Sequence, residues 1–120
     1  MTLEEKAGQL TLLPSAWGGT KAAGFNPPGN GQSFDAQVAD AVAGKLTGVF
    51  NGNGAEMARR MQTAVMKESR LKIPLIFAAD IIHGHRTIFP TPVGEVASFE
   101  PELAERTARA AAFEAAGAGI

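Results

Sequence analysis

Between Ala78 and Gly94 the chain reads AADIIHGHRTIFPTPVG, placing an acid, two histidines, an arginine and two prolines just after the apolar run Ile73–Phe77. The apolar run has the length and composition of a buried strand. Asp80 therefore stands just past a strand's carboxyl end, where α/β architectures bind ligands. Its carboxylate can accept hydrogen bonds from two neighbouring hydroxyls of a sugar or polyol. An aspartate in this position can equally cap the turn that follows, and position alone favours neither reading.

His83 and His85 form an H-x-H pair close to Asp80. Imidazole and carboxylate are metal-binding types. A spacing of two, however, points both rings the same way only on extended backbone, and the sequence offers no third or fourth ligand. Histidines packed into the mouth of the fold are the favoured reading, and no metal is expected. Arg86 could meet a ligand hydroxyl or carboxylate; a loop-holding pair with Asp80 or Glu95 is the preferred assignment. Pro90 and Pro92 fix φ and stiffen the way out of the loop, and composition leaves their peptide bonds undecided between cis and trans.

Other candidate groups carry less. Asn51–Gly54 (NGNG) lacks the full G-x-G-x-x-G and any P-loop lysine, so it is a weak phosphate cradle. Arg59 and Arg60 read as a solvated helix face, and Met57, Met61 and Met66 as core. Trp17 could stack on a sugar face. Glycoside hydrolysis needs two carboxylates flanking one bond, about 5–5.5 Å apart in retaining enzymes. Asp35, Asp40, Glu56 and Glu68 lie on or beside helices and Glu95 follows the loop, so Asp80 has no convincing partner carboxylate. No G-x-S-x-G or H-E-x-x-H occurs.

The elements that must position these residues follow from patterning. Met1–Leu13 predicts a helix: Thr2 and Glu5 fit a capping box, Leu3, Ala7 and Leu10 share a face, and Pro14 stops it. Ser15–Ser33 is rich in glycine and proline and reads as a long loop, with residues 18–32 a flexible insert. Phe34–Gly44 predicts a helix with Phe34, Val38, Ala41 and Val42 on one face and Gly44 as its C-terminal cap. Thr47–Phe50 is a short strand, and Ala55–Arg70 a helix with Met57, Met61, Ala64 and Val65 inward. Leu75–Ala78 is the second strand, and a last helix starts at Phe99–Pro101 and runs to about Gly117. Two apolar strands joined by a helix make a βαβ unit, hence parallel pairing with a right-handed crossover. Two strands alone do not complete such a sheet. The fold class expected is α/β, the opening part of a (β/α)8 barrel, a fold that takes about 250 residues.

Bulk properties narrow the classes. The chain has 120 residues, 45% hydrophobic and 19% charged, with a formal net charge of −1. This is a globular composition with no field to draw nucleic acid or an anionic membrane. No apolar run reaches the roughly 20 residues of a membrane helix, and MTLEEK has neither the basic start nor the apolar stretch of a signal peptide. Cysteine is absent, which removes disulfide and thiolate chemistry.

Taken together, MTLEEKAGQL, TGVFN, and above all RLKIPLIFAADIIHGHRTIFP from Arg70 to Pro90, resemble the N-terminal domain of glycoside hydrolase family 3, with the nearest likeness to bacterial periplasmic β-glucosidases. The likeness spans the chain except the insert around Gly18–Gln32. It implies a (β/α)8-like first domain and retaining hydrolysis of a β-linked glucosyl unit from the non-reducing end of a glucoside or oligosaccharide, with no cofactor. It implies that Asp80 binds hydroxyls of the sugar in the −1 subsite. His83, Gly84, His85 and Arg86 match the loop that follows, with no role carried over beyond shaping the pocket; Arg86 and His83 are the lesser substrate-contact candidates. The family's nucleophile, acid/base and lysine–histidine pair match nothing in these residues. Both ends are thus expected to fall short of a complete enzyme, with Met1 matching an internal methionine of the family pattern. The implied location is periplasmic or secreted. A non-catalytic sugar-binding or assembly module built on a partial barrel is the alternative.

Overall fold

The computed structural model describes residues 1–17 and 32–120. Positions 18–31, nearly all of the predicted insert, lie outside the described residues. Gln32 is described, and its side-chain amide donates to Asp40 Oδ2 at 2.5 Å. The chain divides into two compact units, Met1–Ala79 with Gly119–Ile120, and Asp80–Ala118.

The first unit begins with α1, Leu3–Gly8, whose start is the predicted capping box: Glu5 N–H donates to Thr2 Oγ1 and Thr2 N–H to Glu5 Oε2. The helix is shorter than its sequence suggests, because Leu12–Pro14 is β1, a strand. Two features end it. Gly8 lies so close to the chain at Gly44 that a Cβ would come within 1.9 Å of the Gly44 carbonyl oxygen, and the Thr11 hydroxyl takes the carbonyl of Ala7 at 2.9 Å. Thr11 C=O then accepts from Thr47 N–H at 2.8 Å, so strand pairing wins over helical spacing.

Next come α2, Phe34–Val42, capped by the Ser33 hydroxyl, then β2, Gly48–Phe50, α3, Ala55–Glu68, and β3, Ile76–Ala78. Among the described residues the sheet has three strands in the order β1-β2-β3, all parallel, with Leu12 opposite Gly48 and Gly48 opposite Ile76. The two-strand expectation is corrected by one strand, and the parallel βαβ arrangement holds. Pro14 sits in an outer strand, where its missing N–H is tolerated.

Leu46, Val49, Met61 and Val65 are almost wholly buried, joined by Ala41 and Leu75, with Leu13, Trp17, Phe34, Val38, Val42 and Phe77 packed around them. The inward stripe of α3 is Ala58, Met61 and Val65. Met66 is exposed and does not belong to the core assigned to the three methionines, since it follows Val65 by one position and points a quarter-turn away.

The second unit holds the loop from Asp80, the short helix α4, Pro92–Val96, which patterning did not indicate, and α5, Pro101–Gly117. Proline occupies the first turn of both helices, where no amide donor is needed. All peptide bonds among the described residues are trans, including those before Pro90 and Pro92. Among the described residues no helix is long and apolar enough to cross a membrane.

Candidate functional site

In the first unit, the carboxyl ends of the strands are fastened by side chains that sequence patterning did not single out. Gln37 is buried at 2% exposure on α2. Its Oε1 accepts from Ala16 N–H and its Nε2 donates to the Pro14 carbonyl, each at 2.8 Å. One amide thus satisfies a donor and an acceptor of the segment leaving β1. Beside it, Trp17 meets Phe34 edge-on with centroids 5.3 Å apart, and Arg60 lies 4.8 Å over the Phe34 ring. The indole also lies against Gly52, where a Cβ would come within 2.9 Å of it. Trp17 is therefore committed to packing along these faces, and Arg60, read as merely solvated, also pairs with Asp35 at 2.8 Å. Asn51, in the left-handed region at φ 59, donates its N–H to the Ala78 carbonyl at 2.7 Å, tying the turn after β2 to the end of β3.

Asp80 opens the second unit, two residues past the end of β3, and is exposed. The loop that follows is a built structure. His83 C=O accepts from Phe89 N–H at 2.8 Å, and His83 Nδ1 lies 3.1 Å from Phe89 O. A carbonyl only accepts, so Nδ1 carries the proton in this contact. Gly84 faces Ile88 across an isolated antiparallel bridge. Its φ is +110, and a Cβ would sit 2.0 Å from Thr87 O, so only glycine fits this reversal.

Glu114 of α5 closes the loop. Its Oε2 accepts from the backbone N–H groups of Arg86 and Thr87, each at 2.8 Å, and its Oε1 from the Thr87 hydroxyl at 2.6 Å. The Thr87 hydroxyl first, then the two amides, and last the nearby His85, hold the Glu114 carboxyl below its ordinary pKa. His83 and His85 are half-buried and Arg86 is exposed. The two histidines of H-x-H have different surroundings, His83 against Phe89 and His85 near Glu114. Among the described residues no three His, Asp or Glu side chains are grouped as metal ligands.

The loop brings an exposed carboxylate, an imidazole with one nitrogen committed and a guanidinium onto one short reversal of chain, a donor and acceptor set suited to hydroxyl-rich ligands. Glu114 and Thr87 were missed from sequence because their contact spans 27 residues. One signal was available: Glu114 is an acid in the last turn of a helix, where the macrodipole disfavours negative charge, so it calls for a partner outside the helix.

The sequence matches the glycosyl hydrolase family 3 N terminal domain over residues 2–120. The chain belongs to that family. This family 3 domain is 36% identical over 120 residues to the periplasmic beta-glucosidase of Salmonella typhimurium, covering 100% of this chain and 14% of that protein. It is 30% identical over 95 residues to the lysosomal beta glucosidase of Dictyostelium discoideum, covering 75% of this chain and 12% of that protein. The family 3 domain thus spans a small part of the length of the curated relatives it matches.

Proposed function

We propose that this domain is the front part of a retaining β-glucosidase-type glycoside hydrolase, exported to the periplasm or secreted. In this reading its parallel sheet is the first segment of a (β/α)8 barrel, and Asp80 grips the glucosyl unit in the −1 subsite. The observation that carries the proposal is the placement of Asp80 in a family 3 chain: exposed, just beyond the end of β3, at the head of a tightly tied loop. The β-glucosidase names of the two relatives support the substrate class.

The carboxylate of Asp80 accepts hydrogen bonds from two sugar hydroxyls and so fixes how the ring lies. His83 Nε2 and the Arg86 guanidinium supply lesser polar contacts at the same unit. The nucleophile and the acid/base that split the glycosidic bond come from outside these residues. Bonds from Asp80 that tighten as the ring flattens towards its oxocarbenium-like transition state raise kcat as well as affinity.

The test is the kinetics of Asp80→Ala and His85→Ala in the complete enzyme with one aryl β-glucoside, once circular dichroism has confirmed folding. Hydrogen bonds to a charged group are worth roughly 1.5–3 kcal/mol each. Asp80→Ala is therefore expected to lower kcat/KM by about two orders of magnitude or more. Asp80→Asn should recover little, since it keeps the shape but loses the charge and one acceptor. His85→Ala should cost much less, mainly in KM. Near-parental kcat/KM in Asp80→Ala would remove the sugar-binding role and return Asp80 to that of a turn cap.

A further inference from the structure

We infer that Glu114 is a positioning residue for saccharide binding, acting through the loop that carries Asp80 and Arg86; the inference rests on the reading of that loop as the sugar site. Glu114 makes no claim to touch the substrate. What it does is visible in its three accepted bonds. Two successive backbone amides, Arg86 N–H and Thr87 N–H, converge on Oε2, which fixes the plane of the peptide joining them. The Thr87 hydroxyl on Oε1 stops the carboxylate from rotating. The chain is reversed at Gly84 and tied again between His83 and Phe89, so holding residues 86 and 87 holds the whole reversal.

The placement is not what helix stability alone would select. An acid in the last turn of α5 opposes the helix dipole, and that turn carries no basic residue to offset it. The carboxylate is instead spent on a loop far away in sequence. A loop held in its binding geometry before the ligand arrives loses less freedom on binding, so the effect of Glu114 belongs in KM.

The experiment compares four variants of the complete enzyme with an aryl β-glucoside: Glu114→Ala, Glu114→Gln, Thr87→Val, and Glu114→Ala combined with Asp80→Ala. Glu114→Ala is expected to raise KM about ten-fold with kcat changed less than about three-fold, and to move the thermal midpoint by no more than about 2 °C. Glu114→Gln should restore most of the loss, because its carbonyl can accept from both amides while its NH2 donates to the Thr87 hydroxyl. Thr87→Val, which leaves both amide bonds in place, should raise KM by about two- to three-fold and keeps the question open to measurement if Glu114→Ala does not fold. With Asp80 already replaced, loss of Glu114 should add less than about two-fold. A parental KM in Glu114→Ala beside a crippled Asp80→Ala overturns the positioning role alone. So does the same penalty for Glu114→Ala with and without Asp80, or a parental KM in Thr87→Val when Glu114→Ala is unfolded. A parental Asp80→Ala removes the underlying sugar site and this inference with it.

Discussion

Replacing Gln37 by leucine removes both hydrogen bonds of a buried amide while keeping most of its volume. Pro14 C=O and Ala16 N–H then lose their partner, at a cost of about 2–4 kcal/mol. A fall of that size in the unfolding free energy, read from urea titration with an unchanged slope, is the expected result; a change below half a kilocalorie would mean that water replaces the amide. Gln37 also shows where residue-level reading reaches its limit. A glutamine on a helix normally faces solvent, and nothing local distinguishes it from Gln62, which accepts from Leu75 N–H at 2.9 Å. The place of Asp80 was legible because its signal is local, an acid just after an apolar strand. Glu114 was not, since its partners lie 27 and 28 residues away.

At the scale of elements, α1 is held at both ends of its acidic first turn. Glu5 takes the Thr2 amide and also receives the Arg70 guanidinium through Nε at 3.0 Å and Nη2 at 2.5 Å. The Arg70 bonds first, and then the Thr2 amide, hold the Glu5 carboxyl below its ordinary value of 4.5. The folded state therefore binds a proton at Glu5 less readily than the unfolded chain does. Its contribution to stability is complete above about pH 4.5 and is lost as pH falls through the lowered folded value. Asp40, beside Lys45 and Gln32, and Glu114 act in the same direction. The thermal midpoint should thus drop steadily below about pH 4.5, and Glu5→Gln should start lower at neutral pH and show a shallower acid slope. An unchanged slope in that variant would remove Glu5 from the acid response. The capping box and the apolar face of α2 could be read from spacing, because caps and apolar periodicity are local. β1 could not: Leu10, Leu12 and Leu13 suit a helix, and only pairing with β2 makes three residues a strand.

For the whole molecule, the sheet sets the expected behaviour. Among the described residues β1 and β3 each pair with β2 alone, and they expose Leu12 at 47% and Ile76 at 59%. Open parallel edges with apolar side chains invite pairing with another chain. Light scattering after size exclusion should report a mass above that of one chain, rising with concentration; a monomer at every concentration would contradict this. The same 120 residues should show no hydrolysis of an aryl β-glucoside, since Asp80 is proposed to bind and not to cleave; turnover by rigorously purified chain would place a nucleophile within it. The strands also lie side by side in the order in which they are translated, β1-β2-β3. A nascent chain therefore never has to reserve a gap for a strand not yet synthesised. Once Phe50 has left the ribosome β2 can zip onto β1, and once Ala78 has left, β3 can extend the same edge. Assembly can run in one direction along the sheet, following synthesis.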